Sequence, residues 1–235
     1  MARGLIKTWH TLLDVLFPPI CLSCRGYLPS PEEKENLLCA GCFQGIKIYS
    51  NIFPPSPRVG LIAVGSYENT ALRELIHYFK YNGFLAAKIP IEKLIIKWLE
   101  INRSLIPILL LPNSCLIPIP LHRSRLQKRG FNQAEIIAEI LSRRLNLPLE
   151  KNLLKRTRDT KSQIKMRSTR KREENVKGSI QLSPLKGDNL GALPQCQNVI
   201  LVDDVYTSGA TMQEAIRTLR RTGAKEIIGF VVAKT

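Results

Sequence analysis

One stretch of this chain limits its fold more than any other. Val199-Ile200-Leu201-Val202 is an unbroken aliphatic run, and Asp203-Asp204 follows it directly. Val205-Tyr206-Thr207-Ser208-Gly209-Ala210-Thr211 then leads into a helical pattern. An aliphatic run without alternation reads as a strand buried on both faces, which belongs in a parallel sheet covered by helices. Open sheets of that kind bind ligands outside the carboxyl ends of their strands. A loop of small residues can curl its backbone N–H groups into an anion nest, and the following helix start adds partial positive charge. The stretch therefore suits a phosphate monoester beside a polyhydroxylated ring. Thr207, Ser208, Gly209, Ala210 and Thr211 would hold the phosphate. Asp203 and Asp204 would accept hydrogen bonds from vicinal hydroxyls, directly or through Mg2+. A solvated acid pair at a helix entry is the plainer alternative. No Gly-Lys-Ser/Thr occurs here, so this is not a Walker A loop.

The rest of the chain supplies partners for such a strand. Leu61–Val64 and Ile227–Val232 read as strands, and Leu116–Pro120 as a strand that proline ends. Ala71–Tyr81 is an expected helix with Leu72, Leu75, Ile76 and Phe79 on one face. Glu92–Glu100, Asn132–Leu145 and Thr211–Thr222 are further expected helices, the last followed by Gly223 as a C-cap. Asn132 is either an N-cap or a substrate contact, and Phe131 a staple to the core. Strand–helix alternation gives an α/β fold with a mostly parallel sheet flanked by helices. At 235 residues the chain is long enough for one medium domain and a small one, and we divide it into 1–50 and 51–235.

The first of these parts is rich in proline and contains Cys21, Cys24, Cys39 and Cys42, spaced C-x2-C-x14-C-x2-C. Two such knuckles bring four thiolates around one Zn2+, a closed shell that makes the site structural rather than catalytic. Cys115 and Cys196 stand apart and are expected to be inert. At the N-terminus Leu5, Trp9, Leu12, Leu13 and Leu16 fall on one helical face. His10 and Asp14 interrupt the stretch and no small-residue cleavage site follows, so we expect an amphipathic helix rather than a signal peptide. No apolar run reaches the roughly 18 residues of a membrane span. The expected setting is a reducing cytoplasm, peripheral to a membrane at most through partners, where cysteine quartets bind metal.

Charge is concentrated. The formal net charge is +16, and residues 121–172 hold 16 Lys/Arg against 4 Asp/Glu. Such a block favours phosphates, nucleic acid or an acidic membrane face. Its part from 151 to 172 can equally be a solvated flexible loop. His122 lies at the head of this block, either donating to a phosphate or making ordinary backbone hydrogen bonds.

Taken together these motifs resemble one family. Val199–Thr211 matches the phosphoribosyl pyrophosphate signature of type I phosphoribosyltransferases. The cysteine quartet, Ile119-Pro120-Leu121-His122 with Arg125, Lys128-Arg129-Gly130-Phe131-Asn132-Gln133-Ala134, Thr160-Lys161-Ser162-Gln163 and Glu174-Asn175-Val176-Lys177-Gly178 are similar to the ComF/ComFC family. The resemblance covers almost the whole chain. It implies an N-terminal zinc ribbon fused to a type I phosphoribosyltransferase fold, and an association with natural competence and DNA uptake. It also implies that Asp203 and Asp204 bind the ribose, that Thr207–Thr211 bind the 5′-phosphate, and that Mg2+ accompanies phosphoribosyl pyrophosphate. A second loop takes the pyrophosphate in such enzymes. Leu121–Arg129 follows a strand and is our candidate, through Arg123, Arg125, Lys128 and Arg129. The basic stretch Lys155–Asn175 stands where a mobile loop covers the reacting centre. Two readings follow from the resemblance. One is a phosphoribosyltransferase whose acceptor no motif names. The other is a non-catalytic module holding single-stranded DNA and proteins of the DNA-uptake machinery.

Overall fold

The computed structural model describes residues 18–56, 59–81, 84–159, 174, 176–183 and 196–235. The expected N-terminal amphipathic helix and most of the basic stretch 155–175 lie outside the described residues.

Two short helices, α1 (Pro31–Asn36) and α2 (Ala40–Gln44), belong to the cysteine segment. Then come β1 (Ile52–Ser56), β2 (Val59–Ser66), α3 (Thr70–Tyr81), α4 (Phe84–Ile101) and the one-turn α5 (Ile106–Leu109). They are followed by β3 (Ser114–Pro118), α6 (Arg123–Arg129), α7 (Gln133–Leu145), β4 (Leu154–Arg156) and β5 (Ile180–Leu182). The chain closes with β6 (Asn198–Tyr206), α8 (Ala210–Arg220) and β7 (Glu226–Lys234). The central sheet runs β1-β2-β7-β6-β3; β1 is antiparallel to β2, and every other pairing is parallel. β4 and β5 form a separate antiparallel pair. The fold is mixed α/β with a mostly parallel sheet, as expected.

Side chains alternate across a strand, so each buried strand serves two cores. Ile62, Val64, Ile200, Val202 and Phe230 face one way, into a cluster with Leu72, Leu75, Ile91, Trp98 and Ile137 from α3, α4 and α7. Leu61, Ala63, Val199, Leu201 and Val231 face the other way, against Met212, Ala215 and Leu219 of α8 and against Leu154 and Ile180 of the hairpin. This explains why the strands read as continuous aliphatic runs. All four parallel strands end on one edge of the sheet, which gathers Ser66, Pro118, Tyr206 and Lys234 there.

Several expectations need correction. Leu121–Arg129 is not a loop: residues 123–129 are helical. The His122 ring accepts from the Ser124 N–H at the helix start, and Gly130, at φ 80°, ends it with an N–H bonded to the Leu126 carbonyl. Both caps satisfy backbone groups that a short helix otherwise leaves open. The third strand ends at Pro118, two residues earlier than expected. The helix expected from Glu92 begins at Phe84 and passes through Pro90. Ala87, Ile91, Leu94, Ile95 and Trp98 are buried at helical spacing, so burial outweighs the backbone bond that proline forfeits. Ile52–Ser56, which contains Pro54 and Pro55, is an edge strand, where prolines are tolerated.

Candidate functional site

Asp203 and Asp204 sit in the last residues of β6, at the carboxyl edge of the sheet. Asp204 is buried and meets Lys80 of α3, Nζ to Oδ2 2.6 Å. Burial disfavours the Lys80 charge, yet the Asp204 carboxylate beside it outweighs that, and its pKa lies above the ordinary value. Asp203 Oδ1 accepts the Asp204 N–H at 2.8 Å. Its pKa is pushed up to about 7, first by burial and then by the Asp204 charge; the Asp204 N–H, Lys80 and Arg156 pull it back only in part. Near neutrality this pair therefore carries fewer than two negative charges.

Thr207, Ser208 and Gly209 turn the chain from β6 into α8. Gly209 is the N-cap at φ 76°, a left-handed conformation. A Cβ on Gly209 would overlap the Tyr206 ring. The glycine brings no side chain of its own, so the helix start opens onto the hydroxyls of Thr207 and Thr211, which line the same cleft as the acids.

That cleft has a volume of about 170 Å3. Four cations line it with the two acids: Lys80, Arg125, Arg129 and Arg156. Of the four expected basic residues, Arg125 and Arg129 reach it. Arg123 lies in a neighbouring groove of about 490 Å3 with His122, Lys151, Lys155 and one face of Arg156. Lys128 is exposed on α6 and lines neither. Arg125 is steered by Asp159, whose carboxylate lies 3.4 Å from its Nε and accepts the Ser124 hydroxyl at 2.6 Å. Those contacts hold Asp159 below the ordinary carboxylate range, the Ser124 bond foremost. Arg156 is placed by the hairpin, which α8 anchors: the Glu214 carboxylate accepts the Gly178 N–H, and the Thr218 hydroxyl donates to the Ile180 carbonyl.

Lys80 was not read from the sequence as part of the site, and Arg156 and Asp159 were read only as members of the stretch Lys155–Asn175 expected over the reacting centre. Lys80 on α3 and Asp204 on β6 are far apart in the chain and meet only in the folded structure. Asn132 is the N-cap of α7, its side chain accepting the Ala134 N–H, and Phe131 packs on Phe79 at 5.5 Å. His122 makes the local hydrogen bonds of a helix cap, as its plainer reading held. His77 is exposed, leans on Tyr81 and lines the cleft.

The four cysteines come together as their spacing demands. Their Sγ atoms all lie within 4.8 Å of one another. The Cys24 and Cys39 sulfurs are 3.7 Å apart; four sulfurs at about 2.3 Å from a tetrahedral ion would stand about 3.8 Å apart. Cys21 begins a tight turn in which its N–H bonds the Gly26 carbonyl and its carbonyl accepts the Arg25 N–H. Cys39 is the N-cap of α2. Glu33 ties the start of α1 to the second knuckle: it closes a capping box with Ser30 and accepts the Ala40 N–H at 2.8 Å. The donor set fits a metal ion, and four thiolates make zinc the plausible one. Cys115 and Cys196 are buried neighbours, both raised in pKa by burial foremost, as expected of inert thiols.

Residues 132–235 match the phosphoribosyl transferase domain family. The chain is 30% identical to competence protein F of Haemophilus influenzae, over 88% of this chain and 93% of that protein. It is 28% identical to the DNA utilization protein YhgH of Escherichia coli K12, over 87% and 81% of the two chains. It is also 33% identical to competence protein ComFC of Bacillus subtilis, over 51% and 44%.

Proposed function

The chain belongs to the ComF/ComFC family, and from that premise we propose that its cleft binds phosphoribosyl pyrophosphate or a closely related sugar phosphate. One observation carries this: an acid pair and a small-residue loop share a cleft with four cations at the carboxyl edge of the sheet. The Thr207–Thr211 loop receives the 5-phosphate on hydroxyls and helix-start amides. Asp203 and Asp204 receive the ribose hydroxyls, and Lys80 fixes the Asp204 carboxylate for that contact. Arg125, Arg129 and Arg156 face the pyrophosphate and neutralise charge as it leaves. Asp204 is already engaged by Lys80, so the pair fits Mg2+ carried in on the ligand's own oxygens, with Asp203 as the carboxylate to meet it. Bound there, the ion would add charge neutralisation at the leaving group. The zinc of the cysteine quartet has a structural role.

Calorimetry with phosphoribosyl pyrophosphate, with and without Mg2+, and with ribose 5-phosphate tests this reading. Both ligands are expected to bind, and the double variant Asp203→Asn with Asp204→Asn to bind at least tenfold more weakly, because hydrogen bonds to charged groups contribute about 1.5–3 kcal/mol each. Equal affinity in the double variant would place the ligand elsewhere.

A second reading is favoured by the neighbouring groove, where His122, Arg123, Lys151 and Lys155 gather. It takes single-stranded DNA along its backbone, in keeping with the DNA-related names of the relatives. Affinity is then expected to fall with salt, with a log–log slope of about −0.7 per neutralised phosphate. Arg123→Ala with Lys155→Ala is expected to flatten that slope and weaken all sequences alike. No binding at low salt would remove this reading for the chain alone. Among the described residues no helix is long and apolar enough to cross a membrane.

A further inference from the structure

Of the four cations that line the cleft, Arg156 alone comes from a strand; Lys80 is on α3, and Arg125 and Arg129 are on α6. It ends β4, which is three residues long, and pairs there with Ile180 of β5. A two-stranded hairpin is marginal by itself and needs packing against another element. Leu154 and Ile180 provide it, buried against Met212, Ala215 and Leu219 of α8. Apolar burial is non-directional, so polar contacts must set where the hairpin stands along the helix.

α8 supplies two such contacts. Glu214 is 6% exposed, and its Oε1 accepts the Gly178 N–H at 2.6 Å. Its Oε2 meets Arg217 Nη2 at 2.9 Å, which orients the carboxylate from the other side. A buried carboxylate is costly to keep, and the hydrogen bonds it accepts are strong ones. One turn on, the Thr218 hydroxyl donates to the Ile180 carbonyl at 3.0 Å. Both grips therefore lie within two residues of Ile180, the partner of Arg156. The two arms are also tied to each other here: the Ser179 carbonyl accepts the Thr157 N–H at 2.8 Å, and the Arg158 guanidinium donates to the Lys177 carbonyl. Glu214 does not line the cleft; it acts on the element that does.

The same helix starts at the Thr207–Thr211 loop, and Thr211, three residues before Glu214, lines the cleft. Residues three apart lie on one helical face. One rigid element thus carries the loop at its start and the grip on the hairpin one turn later. Burial foremost, then the Arg125 charge, holds Arg156 below its ordinary pKa, and Asp203 and Asp159 offset this only in part. An anion at this end of the cleft would satisfy it. We propose that Glu214, assisted by Thr218, sets the preference of the cleft for phosphoribosyl pyrophosphate over ribose 5-phosphate, by holding the hairpin so that Arg156 stands at the pyrophosphate end of a ligand whose 5-phosphate lies at the start of α8. Glu214 is a positioning residue and works through Arg156. The assignment rests on the phosphoribosyl reading above and adds what sets its selectivity.

Calorimetry on the full-length protein at constant Mg2+ tests this, with phosphoribosyl pyrophosphate and ribose 5-phosphate as probes. Arg156→Met is expected to weaken phosphoribosyl pyrophosphate about tenfold or more, the size of one hydrogen bond to a charged group. Glu214→Met is close in shape but offers the Gly178 N–H no carboxylate, and is expected to weaken it about fivefold or more. Thr218→Val, which removes the donor to Ile180, is expected to act in the same direction. Glu214→Gln keeps an acceptor and is expected to recover most of the loss. Ribose 5-phosphate affinity is expected to stay within about twofold throughout. Adding Glu214→Met to Arg156→Met is expected to cost less than about twofold more, because one residue acts through the other. Unchanged phosphoribosyl pyrophosphate affinity in both Glu214→Met and Thr218→Val overturns the proposal, and so do additive losses in the double variant. A loss shared equally by ribose 5-phosphate overturns it too, by making Glu214 a prop for the fold alone. A wild type that binds neither ligand overturns the earlier reading. A wild type that binds both, beside a Glu214→Met variant that does the same, overturns this one alone.

Discussion

Asp203 and Asp204 are neighbours in sequence but not in circumstance. Asp204 has Lys80 at 2.6 Å. Asp203 has burial and a like charge against it, and its pKa rises to about 7. The groups that face Asp203 are Asp204, Lys80 and Arg156, and their balance sets where it titrates. Hydrogen bonds to an ionised acceptor are stronger than those to a neutral one, so ribose 5-phosphate affinity is expected to rise as pH passes from 6 to 8. The phosphate itself ionises near about 6 and contributes to the same rise. Asp203→Asn removes the carboxylate part and leaves the phosphate part, so the variant's curve should be flatter. Stability moves the other way. The folded pKa exceeds the unfolded value of about 3.9, so the folded state holds the extra proton between about pH 4 and 7. Wild-type stability therefore falls as pH rises through that window, and levels off above it. Relative to wild type, Asp203→Asn should gain stability from pH 5 to pH 8 in denaturant titrations. A stability difference that does not change with pH would mean Asp203 titrates normally.

Elements formed by local pattern were legible; elements formed by distant pairing were not. The unalternating strands, the apolar face of Thr70–Tyr81 and the Asn132 cap each carry their signal within a few residues. The edge strand Ile52–Ser56 depends on Ile62 and Leu61 opposite it, and its prolines suggest no strand at all. The hairpin strands Leu154–Arg156 and Ile180–Leu182 are three residues each and meet across a long connection. The helix Arg123–Arg129 lacks an apolar stripe, though Gly130 after two basic residues was a C-terminal signal that could have been read. For the site the division is the same. The loop and acid pair were visible, while Lys80 and Arg156 reach them only through packing. The loop supplies the element-scale test. Gly209 needs its left-handed backbone and its missing Cβ at once, because the Tyr206 ring lies against it. Gly209→Ala is expected to cost about 1–2 kcal/mol of stability. It is also expected to weaken ribose 5-phosphate at least tenfold, since the turn must shift to clear the ring. Thermal melts and calorimetry read the two effects. A variant that binds as well as wild type would show that the phosphate does not sit in this turn.

At the scale of the molecule, the two faces of the sheet divide the work. The cysteine segment covers one face: Cys21, Leu28, Leu38 and Ile46 join the cluster of Leu72, Ile91 and Trp98. Lys93 of the long helix holds Glu35 at 2.6 Å and Asn36 at 2.9 Å, and the Asn69 side chain donates to the Gly45 carbonyl. The Thr207–Thr211 loop leads into α8, which covers the opposite face. A metal ion held by the quartet would then staple the first face, needed because helices of six and five residues cannot hold together on their own. Cys39→Ser removes one thiolate ligand and leaves a good N-cap residue at the start of the second short helix, where Cys39 itself makes no side-chain cap bond. It is expected to reduce bound zinc from about one per chain, to open residues 18–46 to proteolysis, and to lower the melting temperature by several degrees as Cys21, Leu28 and Leu38 lose their packing. Ribose 5-phosphate affinity should remain within about twofold, because β6 and α8 keep their own core on the far face. Protein purified without chelator and found free of zinc would refute the metal assignment. A variant that loses zinc and ligand affinity together would show that the two faces are coupled through the strands between them.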